Sequence, residues 1–255
     1  MAVIRVVLQT NSDKDVAVLQ ALSAHMRDQP GCIQAEDHRS IEFNDNLLHL
    51  ERWTSPAAWD AAWASVQRTD LGPSVSQILE ACQAPHHNGL AESPRAYGTS
   101  GLEFYRHSRF SAERSFWQAI DEDERPLSVR WPIWSKIRIV IQMTADTEAD
   151  ISPRLQNAAR TRAERGCEHF EFFRSLDYPE NIALIELWTD AETYDLHWLD
   201  RVRQRRGPPP SAAPSPIARR YGDTGFEFYN HTRYQQIAGV FQPEPLGWRG
   251  SMLMM

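Results

Sequence analysis

The strongest constraint on this chain is that it says most things twice. Residues Arg95–Phe110 read RAYGTSGLEFYRHSRF, residues Arg219–Tyr234 read RRYGDTGFEFYNHTRY, and nine of the sixteen positions are identical. Shared β-propensity does not produce that degree of identity, so the chain is a tandem duplication and its function has to be read from two copies together.

The repeat extends to both sides. IRVVLQ from Ile4 matches IRIVIQ from Ile137, each with the period-2 alternation of a half-buried strand. A helical stretch follows in each copy: Val16, Leu19, Leu22 and Met26 fall at helical spacing before Pro30-Gly31, and the matching stretch ends at Gly166. GCIQAEDHRSIEFNDNLLHLERWTSPAAWDAAW then aligns without a gap on GCEHFEFFRSLDYPENIALIELWTDAETYDLHW, with Glu36/Glu171, Arg39/Arg174, Ser40/Ser175, Asn46/Asn181, Glu51/Glu186 and Trp53/Trp188 in common. Two strands joined by a polar turn lead to Thr-Ser-Pro or Thr-Asp-Ala, a capped helix start. Each copy closes with the Glu-Phe-Tyr strand.

The order strand, helix, strand, strand, helix, strand is the ferredoxin-like split βαβ unit. The predicted fold is therefore α+β, with two ferredoxin-like (βαββαβ) domains in one chain. The first copy is expected over residues 1–120, a linker over 121–135, the second copy over 136–240 and a tail over 241–255. Helices cover one face of such a sheet, and the other face needs a partner. If the two sheets meet there, they close an intramolecular barrel.

Alternation sends Ile4, Val6 and Leu8, or Ile137, Ile139 and Ile141, under the helices, and Arg5, Gln9, Arg138 and Gln142 to the opposite face. For the third strand the pattern predicts Leu48 and Leu50, or Ala183, Ile185 and Leu187, on the helix side, with Glu51, Trp53, Glu186 and Trp188 facing away. In the last strand Glu103, Tyr105, His107 and Arg109, and Glu227, Tyr229, His231 and Arg233, also face away. Buried charges there need partners, since an unpaired one costs several kcal/mol. Arg5, Arg138, Arg109 and Arg233 are the cations available to Glu51, Glu186, Glu103 and Glu227.

A formal charge of −7 and a pI near 5.7 exclude a general nucleic-acid or anionic-membrane binder. The basic run Arg201–Arg206 reads as a solvated helix end. No apolar stretch has the length of a membrane span, the start has no signal-peptide architecture, and a cytoplasmic protein is expected. Cys32, Cys82 and Cys167 form no CxxC pattern and read as small buried apolar residues. No Rossmann or P-loop signature stands in the required strand-to-helix context.

The Gly-Cys after helix one, the Arg-Ser before the turn, the Glu-x-Trp ending strand three and a helix with His197 nine residues beyond Trp188 together resemble the antibiotic biosynthesis monooxygenase family of dimeric α/β barrels. The resemblance covers residues 3 to about 68 and 137 to about 203. It implies that one chain supplies both halves of a barrel that family members make by dimerising, as a monomer with an internal pseudo-dimer or as a homodimer. It also implies an oxygenase or oxidative tailoring enzyme that takes a small aromatic or polyketide-like substrate and O₂. In many relatives the substrate anion itself reduces O₂ without a cofactor. Family pockets lie between sheet and helices, where the second copy has His197 and the first has Ala62.

Within that frame His107, His231, His197, Tyr105 and Tyr229 are the candidate catalytic residues. Trp53, Trp188, Trp63 and Trp198 are candidate aromatic walls, with Arg5 and Arg138 as a clamp for an anionic oxygen. His107 and His231 admit two uses: histidines hydrogen-bonded to Glu103 and Glu227, or, with those carboxylates, ligands of one Cu or Fe ion. His49, matched by Leu184, stands outside the repeated design. The alternatives to the oxygenase are a non-catalytic small-molecule-binding or interaction module, and a haem-binding or haem-degrading enzyme.

Overall fold

The computed structural model describes residues 4–83, 101–106, 109–113, 116–119, 136–147, 150–204, 225–230, 234–237 and 240–243. In the first copy these are β1 (Ile4–Thr10), α1 (Val16–Arg27), β2 (Cys32–Ser40), β3 (Leu47–Trp53), α2 (Pro56–Val66), α3 (Leu71–Gln83) and β4 (Gly101–Arg106). A strand pair follows, β5 (Arg109–Glu113) and β6 (Phe116–Ala119). The second copy has β7 (Ile137–Thr144), α4 (Ser152–Arg162), β8 (Cys167–Ser175), β9 (Asn181–Trp188), α5 (Ala191–Gln204), β10 (Gly225–Asn230), β11 (Tyr234–Ile237) and β12 (Val240–Pro243).

Each copy builds the four-stranded antiparallel order of a ferredoxin-like unit, β4-β1-β3-β2 and β8-β9-β7-β10, and the two join edge to edge through β2 and β8. Arg39 pairs with Arg174 in that seam. Since these are equivalent residues, a pseudo-twofold axis passes between them, and the contacts around it come in matched pairs. Arg27 bonds Asp177 while Arg162 bonds Glu42. Ile41 N donates to Phe172 O while Leu176 N donates to Asp37 O. Asn46 donates to Glu171 at 2.9 Å while Asn181 donates to Glu36 at 2.8 Å.

The sheet curls so that its two faces have different cores. Outside, α1, α2 and α3 cover Ile4, Val6, Leu8, Ala35, Leu47 and Trp53, and the second copy repeats this under α4 and α5. Inside, Val7, Leu48, Leu50 and Tyr105 meet Val140, Phe173, Ala183 and Ile185 in one cluster shared by both copies. That shared cluster is the interior of the intramolecular α/β barrel, and β4 and β10 approach each other across its far side.

Three departures from the sequence reading have physical causes. In β3 and β9 the facing is reversed: Leu48, Leu50, Ala183 and Ile185 line the barrel, while Trp53 and Trp188, with the carboxylates of Glu51 and Glu186 that bond them, lie under the helices. Both faces of these central strands are buried, so alternation could not tell one from the other. α3 was not anticipated, although Val75, Ile78 and Leu79 stand at helical spacing and are buried in the first core.

The Glu-x-Tyr-x-His-x-Arg stretch is also not one strand. β4 pairs with β1 of its own copy, whereas β5, three residues on, pairs with β10 of the other. The equivalent pair β11–β12 in turn packs on β4 and α3. The pair β5–β6 thus extends the second copy's edge of the sheet, and β11–β12, a separate two-stranded sheet, packs against the first copy. The linker 121–135, the tail beyond 243 and the loops APHHNGLAESP and RGPPPSAAPSPIA lie outside the described residues.

Candidate functional site

The barrel interior is polar at its centre, where each nitrogen of the Arg5 guanidinium donates to a side chain. The guanidinium is 0% exposed; Nε and Nη2 donate to Glu227 at 2.7 and 2.5 Å, Nη1 to Gln34 at 2.6 Å and Nη2 also to Gln142 at 3.0 Å. Arg138, its equivalent, is equally buried and donates to the Tyr105 hydroxyl at 3.4 Å and to the Glu186 carbonyl at 3.4 Å. Glu36 accepts from Gln34 and Asn181, and Glu171 from Asn46 and His169. Low dielectric makes such a network strong when complete, and here it ties one copy to the other.

Of the expected pairings, Arg5 with an acid of the last strand is present. The carboxylates of Glu51 and Glu186 accept from indole N–H groups on the helix side, Glu51 from Trp53 and Trp59 and Glu186 from Trp188. His107, His231 and Arg233 lie outside the described residues, as do the side chains of Glu103, Arg109 and Tyr229. Among the described residues no three His, Cys, Asp or Glu side chains are arranged to hold a metal.

The cores under the helices are where the copies diverge. In the first, Glu51 accepts from the indole N–H groups of Trp53 and Trp59 at 2.7 and 2.8 Å and lies 2.7 Å from His49 Nε2. His49 Nδ1 stands 2.8 Å from Asp37 and 3.1 Å from the Ser23 hydroxyl. Burial, the largest single influence, pushes this imidazole down, but the Asp37 and Glu51 carboxylates together outweigh it and lift it to about 10. It is a fixed imidazolium at neutral pH, with no capacity left to act as a base. Trp63 stacks on Trp59 with ring centroids 5.2 Å apart.

In the second copy the same three positions are Ala158, Phe172 and Leu184, all apolar and buried. Polar chemistry appears elsewhere in that core. His197, on the inward face of α5, sits 4.8 Å from the Trp188 ring, 6.0 Å from Phe170 and 6.3 Å from Tyr194. Its Nδ1 lies 2.6 Å from a Glu164 oxygen. An ionised carboxylate only accepts, so Nδ1 carries the proton and the neutral ring's basic nitrogen is Nε2. Burial, then Glu186 and Asp195, push the Tyr194 phenol well up, which keeps it a neutral hydroxyl. Trp198 packs half-buried at the edge of this core.

α5 is aimed by two local devices. Asp190 Oδ1 accepts from Thr193 N at 2.8 Å, capping the helix start. Gly166, at φ +84°, lets the chain turn beneath it; a Cβ there would stand 2.5 Å from Thr193 Cβ. The first copy repeats this with Ser55 and Gly31. Sequence reasoning found His197, set His49 aside as standing outside the repeated design, and missed Glu164, Tyr194, Ser23 and Asp37. Their signal lay in the aligned positions that differ, where whole sets change together, rather than in those that agree.

The architecture is an intramolecular α/β barrel with aromatic side chains packed under its helices. The sequence pattern of the antibiotic biosynthesis monooxygenase family matches residues 1–70 and 136–200, more than half the chain and once in each copy. The chain belongs to that family. Among curated proteins none matches it. Similar solved structures include an aldoxime dehydratase (14% identity, TM-score 0.38, covering 90% of this chain and 84% of that one) and an anthrone oxidase-like protein (10%, 0.30, 97% and 97%). A conserved protein from Methanosarcina mazei Go1 is 20% identical, with TM-score 0.28, over 42% of this chain and 93% of its own. Likeness at this level carries no activity across.

Proposed function

We propose that the chain is an oxygenase of small, electron-rich phenolic aromatics, with its reacting centre in the cleft under α5 of the second copy. The observation that carries this reading is a carboxylate-fixed imidazole among aromatic rings, His197 on Glu164 beside Trp188, Tyr194 and Phe170. Membership of the monooxygenase family supports it.

In this reading His197 Nε2 takes a proton from a phenolic or enolic oxygen. The anion is the electron donor to O₂. One oxygen atom enters the substrate as a new carbonyl and the other leaves as water, so the four electrons come from oxidation of a CH₂ group. The proton held on the imidazole returns to the reduced oxygen. Trp188, at 0% exposed, and the apolar cluster around it keep water from the anion.

The test is oxygen uptake with dithranol, a dihydroxyanthrone, near neutral pH against an enzyme-free blank. One O₂ consumed per dithranol, with the anthraquinone as product, is expected. Uptake no faster than the blank, with dithranol binding unaltered by His197→Ala, would leave a binding module in place of the enzyme.

A further inference from the structure

We infer that Glu164 is the positioning residue of this site: by accepting from Nδ1 of His197 it dictates which ring nitrogen meets the substrate and stabilises the imidazolium while the proton is held there. The inference rests on the oxygenase reading for its kinetic consequence, but not for its structural one. The Nδ1–Oε2 distance is 2.6 Å, and the side chains are 6% and 38% exposed respectively, so a buried ring is steered by a carboxylate anchored at the surface.

The anchor is rigid. Glu164 N donates to Thr161 O at 2.9 Å and its carbonyl accepts from Cys167 N at 3.2 Å, three residues before β8 begins and two before the positive-φ turn at Gly166. Of the other groups against the ring, Phe170 and Trp188 are uncharged, Tyr194 stays protonated, and the Glu186 carboxylate accepts from the Trp188 indole at 2.8 Å. Asp195, the remaining acid near Tyr194, is on the same helix.

The first copy supplies the comparison. It makes the same turn, Cys32 N to Gln29 O at 3.2 Å, but carries Gln29 and Ala62 where the second has Glu164 and His197. Gln29 is spent on the backbone carbonyl of His25. Acid and imidazole are present together or absent together, as expected of a pair that acts as one unit.

The test is histidine-selective ¹⁵N NMR of the full chain, with the His197 resonances assigned by their loss in His197→Gln. In the parent the neutral ring should be the Nδ1–H tautomer. Glu164→Ala should convert it to the Nε2–H form that free histidine prefers, and lower kcat for dithranol by roughly tenfold or more with little change in KM. Glu164→Asp should restore part of both. An unchanged tautomer in Glu164→Ala would overturn the inference, whatever the kinetics. A tautomer change in a protein that consumes no oxygen would leave the positioning role standing and remove the oxygenase reading.

Discussion

Arg5 and Glu227 stand 222 positions apart in the chain, yet share two hydrogen bonds at the centre of the protein. The pair spans the two copies, joining the first strand of one to the last strand of the other. Neither side chain reaches water. Removing one partner strands the other's charge in the barrel, so Arg5→Met or Glu227→Gln should each cost about 3–5 kcal/mol in urea unfolding. The double replacement Arg5→Met/Glu227→Met should cost clearly less than the sum of the single ones. Additive losses would show that the two groups do not depend on each other.

Gly166→Ala should destabilise by at least about 1–3 kcal/mol from the left-handed backbone alone. The clash with Thr193 adds to this, because that contact is with a side chain at the start of α5. Gly31→Ala, which would meet Ala58 Cβ at 2.6 Å, should behave alike. Thermal unfolding reads both, and an unchanged midpoint would mean that the turn is not built as described.

His49 gives a stability that depends on pH in a defined direction. Its folded-state value, about 10, lies above the ordinary histidine value of roughly 6.5. The protonated form is therefore favoured by folding, and its contribution is complete below about pH 6.5 and lost as pH rises toward about 10. Urea midpoints measured from about pH 7 to about 10 should fall, and the fall should flatten in Ser23→Ala/Asp37→Phe/His49→Leu, which writes the second copy's residues into the first. A level profile in the parent protein would contradict the buried imidazolium.

Cys32 and Cys167 are both pushed up to about 12, first by burial and then by Glu51 or Glu186 respectively. Thiols that do not ionise do not alkylate. Iodoacetamide near pH 8 should leave both unmodified in the native protein and label both in urea, as read by peptide mass spectrometry. Rapid native labelling of either would place it in a different environment.

The duplication was legible because the pairs that hold the copies together are among its identical positions: Arg39/Arg174 at the axis, Asn46/Asn181 and Glu36/Glu171 across the seam. First-strand facing was legible because Arg5 and Arg138 contrast with the isoleucines beside them. In β3 and β9 that contrast fails, since Leu50 faces a core as apolar as the one behind Trp53. The exchange of β5 to the other copy had no local signal, because strand pairing between distant segments is decided by which edge is open. The Glu164–His197 pair was half visible: His197 came from the family resemblance, nine residues beyond Trp188, but Glu164 precedes a turn that reads as a helix end in both copies.

The most direct test of the claim that the copies have parted company, with proton handling kept in the second, compares two single variants near neutral pH. Oxygen uptake with dithranol should fall about a hundredfold or more in His197→Ala, while His49→Leu, provided its circular dichroism shows it folded, should keep the parent kcat. Full activity in His197→Ala together with its loss in folded His49→Leu would put the chemistry in the wrong half of the molecule and contradict the account.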